Sequence, residues 1–200
     1  MTILYEFHNN LYVNLTNRCP CACTFCLRQT TDHMGGSGSL WLTEEPSAAQ
    51  VIAEFDRFRM PDYDELVFCG FGEPTEALDV LLYVARHVKN TWPFVPVRIN
   101  TNGLGSLIRG ENIAPLFKGL IDIVSISLNT PDEARYLELT RSRFGIGSFQ
   151  AVLDFAGECS KYVPEVIMST VATTITPEEE QKCGEICKRV GAVYRIRPFE

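Results

Sequence analysis

Two hundred residues, 46% of them hydrophobic and 22% charged, can bury one sizeable core and are too apolar for a disordered chain. Eighteen Lys and Arg against 25 Asp and Glu leave a net charge of −7, so nothing favours general attraction to nucleic acid or to an anionic membrane. Ile3 to Phe7 and Leu11 to Leu15 read as two strands that pair through a turn at Asn9-Asn10. A helix is expected over Pro46 to Arg59, with Val51, Ile52, Phe55 and Phe58 on one face. The next strand is Glu65 to Cys69, and its helix, Glu76 to Asn90, carries the stripe Leu78, Leu81, Leu82, Ala85 and Val88. Val97 to Thr101 is a strand stopped by Asn102-Gly103, and a short helix follows near Asn112 to Lys118. Ile123 to Leu128 and Val166 to Val171 are strands separated by a helix over Ser148 to Tyr162. A last helix starts at Pro177, where Pro and Glu178-Glu179-Glu180 suit a helix N-terminus, and Val193 to Arg197 is the last strand.

Strands alternating with helices over residues 1–200 predict one α/β domain with a mainly parallel sheet and an N-terminal hairpin strand. Right-handed crossovers wind such units into a partial barrel or a doubly wound sheet. The N-terminus shows no basic, apolar leader, and no stretch approaches the roughly 18 apolar residues of a membrane span, so a cytoplasmic chain is expected. The long connection Arg28 to Glu45, with Gly35-Gly36-Ser37-Gly38-Ser39 inside it, is either a functional loop or a disordered one.

Four of the eight cysteines, Cys19, Cys21, Cys23 and Cys26, crowd together just after a strand. Cys19, Cys23 and Cys26 read as C-x3-C-x2-C. Three thiolates on an iron–sulfur cubane leave one iron without a protein ligand, an open position of the kind a catalytic metal centre needs. The competing reading is a structural zinc site that takes Cys21 as its fourth ligand, although zinc sites usually draw cysteine pairs from separated segments. Cys183 and Cys187 share a helical face with Ile186 and Val190 and read as core.

Other motifs narrow the choice. The cysteine spacing with Phe25 before the last Cys, Cys69-Gly70-Phe71-Gly72-Glu73-Pro74 after a strand, Asn100-Thr101-Asn102-Gly103 at the end of the next and Ser125-Ile126-Ser127-Leu128-Asn129 on another together resemble the radical SAM superfamily. The opening Tyr-x-Asn-Leu-Thr-Asn-Arg-Cys at 12–19 and the Gly-Phe-Gly-Glu-Pro motif are most similar to the TatD-associated radical SAM proteins. This resemblance implies a partial (β/α)6 barrel binding a [4Fe–4S] cluster and S-adenosylmethionine (SAM). It also implies reductive cleavage of SAM to a 5′-deoxyadenosyl radical, which takes hydrogen from an unidentified substrate.

The resemblance further assigns Cys19, Cys23 and Cys26 to the cluster, and Gly72 and Glu73 to the methionine ammonium of SAM. Phe25 is placed near the adenine, or else in the core. Asn100, Ser127 and Asn129 are placed at the ribose or carboxylate, or else as turn caps, and Arg141, Arg195 and Arg197 at the carboxylate, or else as surface partners of acidic side chains. A flavodoxin or ferredoxin is the expected electron donor, and a TatD-like hydrolase a functional associate. The substrate is open and includes a protein. An activase that makes a glycyl radical on a partner protein is the enzymatic alternative, and a non-enzymatic metal-binding module the alternative outside enzymes. His33 and Trp41, in the long loop, line a substrate pocket or simply decorate the loop.

Overall fold

The computed structural model describes residues 1–198. It divides into two compact units. The first comprises Met1–Cys19, Cys26–Asn100 and Leu120–Asp122; the second comprises Pro20–Phe25, Thr101–Gly119 and the chain from Ile123 onward.

In the first unit, β1 (Leu4–Phe7) pairs antiparallel with β2 (Asn10–Val13), Phe7 facing Asn10 across a turn in which His8 adopts φ +50°. β3 (Leu66–Phe68) and β4 (Val97–Thr101) then add in parallel, with Leu11, Leu66 and Val97 in register. Alternation separates two faces. Leu11, Val13, Leu66, Phe68, Val97 and Ile99 lie on one and are completely buried, while Tyr12 and Val67 lie on the other and pack with Tyr5, Leu40 and Phe71. Both faces are therefore covered, as parallel strands require.

Helix α1 (Ala48–Glu54) starts at a capping box between Ser47 and Gln50 and packs against α2 (Leu78–Thr91). It is shorter than expected. Residues Phe55–Arg57 tighten into a 3-10 turn, so Val51 and Phe55 are buried while Ile52 and Phe58 are only half-buried. Val84, rather than Leu82, completes the buried stripe of α2. The start of that helix is delayed by a 3-10 turn at Pro74–Ala77. Asp122 accepts from the Val97 amide at 2.7 Å and pairs with Lys89, tying the end of α2 to the base of β4.

The second unit holds β5 (Ile123–Ser127), β6 (Glu165–Val171) and β7 (Val193–Arg197), all parallel, with Ser127, Ser169 and Arg195 in one register row. Five residues of β6 in succession, Val166–Thr170, are buried, which marks an inner strand. Helix α3 (Gly105–Arg109) and helix α4 (Glu133–Thr140) were not expected. Only Tyr136 and Thr140 of α4 are buried, too few to make a visible stripe, and α3 is little more than one turn. The Asn112 to Lys118 helix is instead a 3-10 turn at Ala114–Phe117. Helix α5 (Ser148–Cys159) and helix α6 (Pro177–Arg189) pack on β5, β6 and β7. As expected, α6 opens with Pro177 in its first turn, and Cys183 and Cys187 are completely buried beside the buried Ile186; a Thr176–Glu179 capping box, not foreseen, fixes its start. No helix among the described residues is long and apolar enough to cross a membrane.

The glycine of Asn102-Gly103 sits at φ +79°, and a Cβ there would lie 2.9 Å from Ile126 and 3.2 Å from Val152. Gly103→Ala should therefore lower stability by about 1–3 kcal/mol, through backbone strain and overpacking together. Urea unfolding of the two proteins measures it; equal midpoints would show that the turn relaxes freely.

Candidate functional site

β2 hands the chain directly to the cysteine-rich loop. Asn14 and Thr16 are buried at its start, and Cys19, Cys23 and Cys26 are half-buried. Cys21 is different. It is 4% exposed, and the Asn102 side-chain amide lies 3.9 Å from its sulfur. Within the second unit, the 20–25 segment is strung along the end of α4. The amides of Ala22 and Thr24 donate to the Thr140 and Leu139 carbonyls at 3.0 and 2.9 Å, and Arg143 donates back to the Pro20 carbonyl at 2.9 Å. The last carbonyls of a helix have no partner inside it, and here the loop supplies one.

The second loop follows β3. Its geometry explains its glycines. A Cβ on Gly70 would stand 2.1 Å from Asn14 Oδ1, and one on Gly72 would stand 2.2 Å from the Thr16 carbonyl oxygen and 2.6 Å from that of Arg18. Gly72 is thus required by the chain's own backbone. The Glu73 amide then donates to the Arg18 carbonyl at 2.8 Å, locking this turn to the residue preceding Cys19. Glu73 itself is 3% exposed, and its Oε1 accepts from the Thr75 amide and hydroxyl at 3.1 and 2.8 Å. The carboxylate is held in place by the 3-10 turn that it caps.

The Arg28 to Glu45 connection is docked rather than loose. Asn14 Nδ2 donates to the Leu40 carbonyl at 2.8 Å, and Asn17 exchanges two bonds with the backbone of Leu42, at 2.7 and 3.0 Å. Leu40 and Leu42 are buried. Trp41, half exposed, meets Phe71 edge-on with ring centroids 5.2 Å apart. His33 remains on the surface beside Asp32.

The other sequence-selected residues divide between the units. Asn100 is half-buried near the end of β4, in the first unit with Gly72 and Glu73. In the second, Ser125 and Ser127 share one half-buried face of β5, opposite the buried Val124 and Ile126. Asn129 is buried at φ +66° and its amide donates to the Ser169 carbonyl at 3.2 Å. Ser169, 2% exposed and in register between Ser127 and Arg195, extends this polar row. Its signal was a hydroxyl pair, Ser169-Thr170, in an otherwise apolar strand. Arg141 ends α4 in the left-handed conformation with its side chain outward, Arg195 is exposed and Arg197 is half-buried. Phe25 is 49% exposed, so its reading as a core aromatic fails.

The donor set fits an iron–sulfur cubane. Soft thiolates at C-x3-C-x2-C spacing are the donors such a cluster takes, and Cys21, the fourth cysteine of the run, is 4% exposed beside Asn102. No three His, Cys, Asp or Glu side chains among the described residues are grouped as a single metal ion would need.

Comparison with known proteins agrees. The model of the radical SAM superfamily matches residues 13–190. A GTP 3′,8-cyclase of Corynebacterium glutamicum is 32% identical over 193 residues, covering 94% of this chain and 48% of that protein. The chain thus spans about half the length of this relative. Among solved structures, Streptococcus suis SuiB superposes with a TM-score of 0.68 at 17% identity, over 97% of this chain and 40% of SuiB. SuiB bound to S-adenosylmethionine gives 0.65 at 16% identity over the same shares. Between the two folds left open by the strand pattern, these likenesses decide for the partial barrel.

Burial gives a test on the apoprotein. Burial pushes the Cys159 and Cys183 thiols up to about 12, and Cys187 to about 11. Since the thiolate is the reactive form, these three should resist iodoacetamide at pH 8 while Cys19, Cys23 and Cys26 are alkylated at least about tenfold faster. Peptide mass mapping reads it, and uniform labelling would contradict the burial pattern.

Proposed function

The chain belongs to the radical SAM superfamily, and from that premise we propose that Cys19, Cys23 and Cys26 bind a [4Fe–4S] cluster, and that Glu73 holds SAM beside it. One observation carries the reading: Gly72 packs on the Thr16 and Arg18 carbonyls while the Glu73 amide bonds to the latter, so the carboxylate and the start of the cysteine loop form one rigid piece. When bound, the cluster supplies the electron that cleaves SAM to methionine and a 5′-deoxyadenosyl radical.

The chain's own residues bind and orient. Glu73, desolvated and fixed by Thr75, is suited to accept from the SAM ammonium, since a charge-assisted bond gains strength where water is excluded. Phe25 offers an exposed ring for the adenine. Asn100, Ser127 and Asn129, with Ser169 added, offer hydroxyl and amide groups for the ribose, and Arg141, Arg195 or Arg197 a guanidinium for the carboxylate. The family match runs through both compact units, which supports one domain over 1–200.

The substrate stays open, and a protein is included, as it must be for the activase alternative. A net charge of −7 gives no general pull on a triphosphate, so the GTP in the relative's name is not carried over. The residue 12–19 opening and the Gly-Phe-Gly-Glu-Pro turn support the TatD-associated subfamily and a functional link to a TatD-like hydrolase. A flavodoxin or ferredoxin suits the electron supply. Eight cysteines outside any disulfide support a reducing, cytoplasmic setting.

Dithionite-reduced, reconstituted protein should release 5′-deoxyadenosine from SAM without added substrate, and Cys19→Ala/Cys23→Ala/Cys26→Ala should release none. Product from the triple variant, or none from a loaded wild type that binds SAM, would sink the proposal. Glu73→Gln keeps the shape of the turn and removes its charge. It should weaken SAM binding about tenfold to a hundredfold in calorimetry, the cost of a charge-assisted bond, and unchanged affinity would take Glu73 out of the site.

A further inference from the structure

The Arg18 side chain is bonded to two other segments of the first unit, and the cofactor chemistry does not use it. Its Nε and Nη2 donate to Glu45 Oε1 and Oε2 at 2.7 and 2.9 Å, the two-point grip that a planar guanidinium makes on a carboxylate. Nη2 also donates to the Glu76 carbonyl at 2.9 Å, and Nη1 lies 3.5 Å from the Glu76 carboxylate, whose side chain is 6% exposed. Thr16, buried beneath the pair, donates its hydroxyl to Glu45 and accepts from the Arg18 amide at 2.9 Å. The Arg18 carbonyl is the same one that receives the Glu73 amide.

Three chain segments therefore meet at this side chain: the entry to the cysteine loop, the end of the Arg28 to Glu45 connection and the turn after Glu73. The Arg18 and Glu45 side chains are about half exposed, and such a pair contributes little to global stability. Its position matters more than its strength. On one side of it, the 39–45 segment is docked through Leu40, Leu42 and Trp41; on the other, Glu73 and Thr75 form a small rigid turn. The pair is the solvent-accessible clasp between two well-packed pieces.

We propose that Arg18 is a positioning residue that ties docking of the 39–45 segment to the setting of the Glu73 turn, with Trp41 as the wall that a substrate meets. A substrate with an apolar or aromatic face that presses on the Trp41 ring would thereby be sensed at the carboxylate assigned to SAM. This rests on the assignment of Glu73 to the SAM ammonium. The hydrogen bonds from Arg18, and then from Thr16, hold the Glu45 carboxyl below the usual carboxylate range against the opposing effect of its burial. The clasp is thus closed at neutral pH and opens only as pH falls through that lowered value. The charges facing Arg18 in it are Glu45 and Glu76.

The test is a double-mutant cycle of Arg18→Ala, Glu45→Ala and the pair in reconstituted protein. It is read by two measurements: cleavage within 35–39 by a broad-specificity protease, and SAM affinity by calorimetry. Either single variant should be cut several-fold faster and should bind SAM about threefold to tenfold more weakly, with the double variant no worse than Arg18→Ala. Arg18→Lys, which keeps the charge and loses the two-point grip, should fall between wild type and Arg18→Ala. Faster cleavage with unchanged SAM affinity would break the coupling, unchanged cleavage would remove the clasp, and additive losses would mean that the residues act separately. A wild type that binds no SAM would overturn the functional proposal and with it the SAM arm, while the cleavage rates would still decide the clasp.

Discussion

The backbone of Gly72 lies against the carbonyls of Thr16 and Arg18, closer than any side chain would allow, and most of the candidate site depends on that approach. It lets the Glu73 amide reach the Arg18 carbonyl, which fixes the loop after β3 to the loop after β2. A buried carboxylate is costly unless something holds and uses it, and here the Thr75 amide and hydroxyl hold it. The half-buried thiols begin one residue beyond the same contact. The ends of two adjacent parallel strands are thus joined by the chain's own backbone.

Much of this was legible in the residues. Val97 to Thr101 and Val193 to Arg197 were read to their end residues because β-branched runs between turn residues leave little choice. The start of α6 was equally plain, since Pro177 needs no amide partner there and the Glu178-Glu179-Glu180 run suits the positive end of a helix. The cysteine spacing, taken with the Gly-Phe-Gly-Glu-Pro, Asn-Thr-Asn-Gly and Ser-Ile-Ser-Leu-Asn motifs, pointed to the cofactor chemistry through their resemblance to the radical SAM superfamily, whose model matches residues 13–190.

What escaped was tertiary in origin. Helix α4 buries only Tyr136 and Thr140 and so has no periodic stripe, yet its last carbonyls carry the middle of the cysteine loop. Docking of the long connection rests on Asn14 and Asn17, whose amides reach backbone more than twenty residues away, a relation that local pattern cannot show. Gly72 was read as offering its backbone to the SAM ammonium, and local pattern gave no sign that the chain's own carbonyls at Thr16 and Arg18 also exclude a side chain there. Ser169 was hidden within a run of buried residues, and only its register between Ser127 and Arg195 gives it meaning.

The central claim is that three thiolates, and not four, bind the cluster, leaving one iron for SAM. It is tested most directly by iron and sulfide analysis of anaerobically reconstituted single variants. Cys19→Ala, Cys23→Ala and Cys26→Ala should each lose the cluster, whereas Cys21→Ala should retain about four irons and four sulfides per chain, because its side chain is turned into the protein beside Asn102. Loss of iron from Cys21→Ala as complete as from the other three would show a four-cysteine site with no open iron, and would contradict the account.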